Sequence, residues 1–162
     1  MTEILTHPTW DQLAEGAEAL VTKLKLHGWS QPEYIVGLTR GGLVPAVSMS
    51  HMLDIPMVAV NYSSVAGKGD NRNHANALPA IYGHTTSGTG KLPEMPELLI
   101  VDDICDSGHT LKEVFDHYSK QGHRVWTASL YYKEGAVIKP DFYWQHIPKE
   151  SPWIIFPFEV EQ

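Results

Sequence analysis

Two adjacent carboxylates, a third one three residues on, and then small hydroxyl and glycine residues concentrate the chemistry of this 162-residue sequence. They lie in Leu98 to Thr110, which reads LLIVDDICDSGHT. The apolar run Leu98-Leu99-Ile100-Val101 has the composition of a buried parallel strand, and it delivers Asp102 and Asp103 at its end. Asp106, Ser107, Gly108, His109 and Thr110 follow, just before a helical pattern. The first N–H groups of a helix have no intrahelical acceptor, and the helix dipole favours an anion there. Gly108 permits close backbone approach to a phosphate, and Ser107 and Thr110 add hydroxyl donors. Asp102 and Asp103 suit vicinal hydroxyls or a hydrated magnesium ion. A phosphate at one end and a diol at the other describe a phosphorylated pentose.

A second candidate is Thr39-Arg40-Gly41-Gly42, after the apolar run Tyr34 to Leu38. Its glycines can turn amides toward a ligand, and Arg40 brings a permanent planar charge that matches phosphate oxygens. Taken alone, a Gly-Gly turn is usually only a turn. Two further features are plain by themselves: Lys133, after Ala128 to Tyr132, and Trp153-Ile154 in an apolar aromatic tail. The stretch from Tyr62 to Pro96 is rich in Gly, Asn, His and Ser. So long a connection in a compact domain reads either as a surface loop or as a lid that excludes water from a reaction.

The elements that must hold these residues follow from periodicity. Trp10, Leu13, Ala17, Leu20, Val21 and Leu24 share one helical face, with Thr9 and Gln12 as a capping box and Gly28 as a stop. A second helix carries Pro45 in its first turn and offers Val44, Val47, Met52 and Leu53 for packing. Pro56 to Asn61, Leu98 to Val101, Val125 to Tyr132 and a short piece at Phe142 to Trp144 read as strands, with a possible hairpin at Ala80 to His84. Leu111, Val114, Phe115 and Tyr118 line a third helix. Strands alternating with helices imply a mainly parallel α/β sheet with right-handed crossovers, whose ligands sit beyond the carboxyl ends of its strands.

Composition narrows the classes. The length suits one domain, 1–162, and no linker divides it. The charge balance, 12 basic against 19 acidic residues, gives −7, which argues against a nucleic-acid partner. No apolar run is long enough for a membrane span, and Met1 to Trp10 does not read as a signal peptide, so a cytoplasmic protein is expected. One cysteine, Cys105, precludes an internal disulfide, and it reads as buried packing. No P-loop, HExxH, GxSxG or EF-hand pattern occurs, and the nine histidines include no pair four apart on a helix.

Position for position, Leu98 to Thr110 resembles the phosphoribosyl-pyrophosphate signature of the type I phosphoribosyltransferases. TRGGLVP from Thr39, and WIIFPFE from Trp153, look like their counterparts in 6-oxopurine (xanthine-guanine and hypoxanthine) members. The resemblance implies a five-stranded parallel sheet flanked by helices and topped by a small hood, Mg²⁺, and the substrate 5-phosphoribosyl-1-pyrophosphate. It implies that Asp102 and Asp103 hold the ribose hydroxyls, with any metal contact indirect. Asp106 to Thr110 would wrap the 5′-phosphate, and Thr39 to Gly42 would bind pyrophosphate. Lys133 would donate to O6 of a purine, Trp153 would stack on it, and the Ile154 carbonyl would read its 2-position, within a base-binding hood and tail at 133–162. Asp106 would assist at N7 as the general base, and Glu159 stands where relatives carry an acid near the base. Residues 62–96 would form a flexible active-site loop, where relatives often have a Ser-Tyr pair and this sequence has Tyr62-Ser63; Lys68 and Arg72 lie within it. A homodimer or homotetramer is implied, with the helix after Arg40 as a possible interface. The rival readings are a transferase for another or a modified base, and a regulator that binds phosphoribosyl pyrophosphate without turnover.

Overall fold

The computed structural model describes residues 6–28, 31–62, 78–81 and 95–159. The first helix, α1, spans Trp10–Leu26. Thr9 caps it as a reciprocal box: the Gln12 amide donates to the Thr9 hydroxyl at 3.3 Å, and the Thr9 amide donates to the Gln12 side chain at 2.8 Å. Leu13, Ala17, Leu20, Val21 and Leu24 are buried as the periodicity requires. Trp10 departs from that expectation. It stands 55% exposed in the first turn, with its ring 6.2 Å from that of Phe158. His27 closes the helix, and Gly28 follows at a φ of 71°, a left-handed conformation natural to glycine.

Strand β1 (Tyr34–Leu38) leads into helix α2 (Leu43–Leu53) and strand β2 (Met57–Val60). Strand β3 runs from Leu98 to Cys105, helix α3 from His109 to Lys120, β4 from Val125 to Lys133 and β5 from Phe142 to Ile147. The five strands form one sheet in the order β2-β1-β3-β4-β5, and every pairing is parallel. Two strands are longer than their apolar runs. β3 continues through both aspartates because Asp102, Ile104 and Cys105 still pair with Ser129, Tyr131 and Tyr132 of β4. β5 continues to Ile147 along β4, so this part of 133–162 is the edge of the main sheet.

Helices α1 and α2 cover one face of the sheet, in a core with Ile35, Leu99, Val101, Leu130 and Ile154. On α2 the core side is Pro45, Ala46, Met49 and Leu53. Val47 and Met52, expected to pack, remain 43% and 37% exposed, because the helix is apolar on both sides and has only one sheet to bury against. Helix α3 covers the other face, with Leu111, Val114 and Tyr118 against Leu98 and Ile100.

Part of the long connection after β2 is packed onto the core. Tyr62, expected at the start of an active-site loop, is buried in the α3-side core with Leu78 and Ile81. The Tyr118 hydroxyl donates to the Pro79 carbonyl at 3.0 Å, and His123 holds the Pro96 carbonyl at 2.9 Å. The apolar faces of β1 and β2 need this cover, since burial of apolar area is the main stabilising term. Ser63, Lys68, Arg72 and most of the expected hairpin lie outside the described residues; Ala80 and Ile81 carry no strand.

Candidate active site

β1 and β3 are neighbours, yet their connections leave in opposite directions across the sheet. That is a topological switch point, and both candidate motifs stand at its carboxyl end. Beyond Leu38, Thr39 is held by its amide on the Val60 carbonyl (2.9 Å) and by its hydroxyl on the Asn61 side chain (3.2 Å). The Thr39–Arg40 peptide is cis, and Arg40 is exposed. Gly41 and Gly42 are demanded by crowding. A Cβ on Gly41 would overlap the Asp103 carboxylate. One on Gly42 would sit 2.7 Å from the carbonyl oxygens of both Leu38 and Val101. The two motifs found separately in the sequence therefore interlock: the glycine turn rests directly on the end of β3.

Asp102 and Asp103 are half-buried side by side. The Asp103 amide donates to Asp102 Oδ1 at 3.0 Å, and the Ile104 amide to Asp103 Oδ1 at 2.9 Å. Burial, reinforced by the neighbouring Asp103 charge, raises the Asp102 carboxyl well above its ordinary value of 3.8. Burial also raises Asp103, and Glu159 adds charge repulsion. Glu159 thus reaches this end of the sheet, with its carboxylate accepting from the Phe156 amide at 3.0 Å. Hard oxygen donors that repel one another suit a hydrated divalent cation shared with substrate oxygens. Among the described residues no group of three or more His, Cys, Asp or Glu is placed to hold a metal by itself. Asp102 and Asp103 offer carboxylate oxygens that would suit a hydrated Mg²⁺.

After β3 the loop turns into α3 through Gly108, whose φ is 78°. A cleft of about 90 Å³ lies here, lined by Asp102, Ile104, Cys105, Asp106, Ser107, Gly108, Thr110 and Leu111. It has room for a phosphate-sized group and opens between the carboxylates and the start of the helix. Ser107 and His109 are exposed, and the Ser107 hydroxyl accepts from the His109 amide at 3.5 Å. Cys105 is buried, and burial pushes its thiol up to about 12, so it does not serve as a nucleophile at neutral pH.

Lys133 ends β4 and reaches across to this loop. Its Nζ lies 2.9 Å from Asp106 Oδ1, in a partly exposed ion pair. Residues assigned to the base from distant parts of the chain are thus brought into contact. In the tail, Ile154 is buried, whereas Trp153 is 60% exposed with its indole face available. The Ile155 amide on the Thr6 carbonyl (2.8 Å) and the stacked pair Phe156–Phe158 hold the tail in place. Sequence reasoning passed over Ile104 in the cleft and residues 136–138 behind the loop. Nothing in their composition marks them.

Residues 9–162 match the phosphoribosyl transferase domain family, and the chain belongs to that family. It is 31% identical over 161 residues to a xanthine-guanine phosphoribosyltransferase of Roseobacter denitrificans, covering 95% of this chain and 85% of that protein. The fold is similar to that of a purine phosphoribosyltransferase from Pyrococcus horikoshii (TM-score 0.72, 31% identity, 96% of this chain and 94% of that one). It is also similar to that of a xanthine-guanine-hypoxanthine phosphoribosyltransferase of Helicobacter pylori (TM-score 0.72, 25% identity, 95% and 92%). Among the described residues no helix is long and apolar enough to cross a membrane.

Proposed function

We propose that this enzyme transfers the 5-phosphoribosyl group from phosphoribosyl pyrophosphate to a 6-oxopurine, giving a nucleoside monophosphate and pyrophosphate in purine salvage. The observation that carries the reading is the Lys133–Asp106 pair, whose carboxylate lines one cleft with Asp102, Ser107, Gly108 and Thr110. A 6-oxopurine presents an acceptor, O6, next to N7. Lys133 donates to O6 and Asp106 accepts the N7 proton, so one edge of the base replaces both partners of the ion pair. Trp153 stacks on the ring, and the Ile154 carbonyl faces the 2-position.

Asp102 and Asp103 hold the ribose hydroxyls. The loop into α3, from Asp106 to Thr110, binds the 5′-phosphate. Thr39 to Gly42, with the Arg40 guanidinium, bind the departing pyrophosphate. Mg²⁺, when bound, would neutralise pyrophosphate charge and orient the sugar oxygens. As the bond from C1 of the sugar to the pyrophosphate oxygen breaks and a bond from C1 to a base nitrogen forms, negative charge grows on pyrophosphate, positive charge grows on the base, and Asp106 takes the base proton.

The described residues share one sheet with a core on each face, which supports a single catalytic domain over 1–162. A lone cysteine suits the reducing cytoplasm. We further propose a homo-oligomer joined through α2. That helix contains no Asp, Glu, Lys or Arg and exposes Val47 and Met52, so two copies of a chain carrying −7 can meet there without like charges facing.

The test is turnover with guanine, xanthine and hypoxanthine against adenine, orotate and uracil, with Asp106→Asn alongside. The expected result is nucleotide from one or more 6-oxopurines only, slowed about a hundredfold or more in the variant. Binding of the pyrophosphate ester without turnover on any base would overturn the reading.

A further inference from the structure

Four consecutive residues, from Cys105 at the end of β3 to Gly108, are each gripped by the last residue of β4 or by the connection that follows it. The Cys105 thiol donates to the Ile138 carbonyl at 3.4 Å, and Asp106 pairs with Lys133 at 2.9 Å. The Val137 amide donates to the Ser107 carbonyl at 2.9 Å. Gly108 lies so close behind that a Cβ there would be 3.1 Å from the Ile138 nitrogen and 3.2 Å from the Ala136 Cβ. The Ala136 amide donates to the Lys133 carbonyl at 3.2 Å, which turns the connection back onto the loop. Only the Lys133 contact has a place in the proposed reaction.

The Val137 contact has a definite electrostatic consequence. A loop that wraps an anion must aim N–H groups at it and turn carbonyls away. The Ser107 carbonyl and the Gly108 N–H belong to one peptide unit, and in a trans peptide they point in opposite directions. Holding that carbonyl back against Val137 therefore turns the Gly108 N–H toward the cleft. Without the Val137 amide, the unit could rotate and present an oxygen to the phosphate, made easier because Gly108 has no side chain to resist rotation.

We infer that residues 136–138 are positioning residues of the sugar-phosphate site: the Val137 N–H locks the Ser107–Gly108 peptide in its anion-binding orientation, and Ala136 and Ile138 form the wall that sets the depth of Gly108. The inference rests on the reading of Asp106 to Thr110 as the 5′-phosphate loop.

The test is calorimetric binding of ribose 5-phosphate, without metal or base, to the wild-type chain and to Val137→Ala, Val137→Pro and Ala136→Val. Thermal melting checks the fold of each. Val137 is half exposed, so Val137→Ala keeps the N–H at little packing cost and should bind as the wild type does. Val137→Pro removes the donor, while also fixing φ at 137 and restricting Ala136, and should weaken binding about tenfold. Ala136→Val pushes Gly108 forward and should also weaken binding. In turnover, both weakened variants should raise KM for phosphoribosyl pyrophosphate with kcat near the wild-type value, a split that general loosening of the fold would not give. Folded Val137→Pro and Ala136→Val chains that bind as tightly as the wild type would overturn the inference alone, as would equal weakening by Val137→Ala and Val137→Pro. If Val137→Pro does not fold, Ala136→Val decides. A wild-type chain that does not bind ribose 5-phosphate would bring down the phosphate-loop reading with it.

Discussion

Asp102 sits in a place that penalises its own charge. Burial and the adjacent Asp103 carboxylate raise its pKa, so between the ordinary value and the folded one the native chain holds a proton that the unfolded chain releases. Stability from this group is present at low pH and is lost as pH rises through that interval. Asp102→Asn keeps the oxygen that accepts from the Asp103 amide and removes the charge. The variant should therefore be more stable than the wild type at neutral pH, by about 1 kcal/mol or more, with the gap closing below the ordinary carboxylate range. Urea unfolding across pH reads this directly. With Asp102 in the proposed role at the ribose, turnover of the variant should fall. At this scale the sequence was informative. The order of Asp102, Asp103, Asp106 and Gly108 is what points to a phosphate and a diol, and the structure gathers Asp102, Asp106 and Gly108 around one cleft. The sequence could not show that Lys133, 27 positions after Asp106, closes an ion pair with it, because a pair formed across two adjacent strand ends leaves no local spacing to read.

The same contrast holds for elements. Helix α1 was legible because its cap and its 3.6-residue stripe are local, and β1 because its apolar run is buried nearly throughout. The extension of β3 past its aspartates was not, since hydrogen-bonding to β4 continues where polarity begins. Nor was the docking of residues 78–81, where two apolar residues, Leu78 and Ile81, are too few to make a periodic signal, yet are buried because a sheet face needs cover. Two glycines separate packing from function at this scale. A Cβ on Gly16 would lie 2.8 Å from both the Leu130 and the Trp144 side chains, where α1 crosses β4 and β5. Gly16→Ala should destabilise by about 1–3 kcal/mol and leave kcat of the folded enzyme unchanged. Gly41→Ala instead drives a methyl into the Asp103 carboxylate. It should cut turnover severalfold or more beyond any loss of stability. Chemical unfolding and steady-state rates on the same samples distinguish the two, and equal activity loss in both would refute the interlocked-turn account.

For the whole molecule, the parallel sheet and its switch point explain why the distant motifs converge, and family membership agrees with that convergence. The uncharged outer side of α2 is the surface this account leaves to a second copy. Sedimentation should find the wild-type chain as a dimer or larger, and Val47→Asp should shift it toward monomer; a monomeric wild type at micromolar concentration would contradict the proposal. The central claim is transfer of a phosphoribosyl group to a purine, and phosphorus NMR tests it most directly. Phosphoribosyl pyrophosphate and Mg²⁺ would be incubated with the enzyme, with and without guanine, xanthine or hypoxanthine. The account predicts that pyrophosphate appears only when a base is present and in step with the nucleoside monophosphate. Pyrophosphate accompanied by free ribose 5-phosphate irrespective of base, or an unchanged spectrum with every purine, would contradict it.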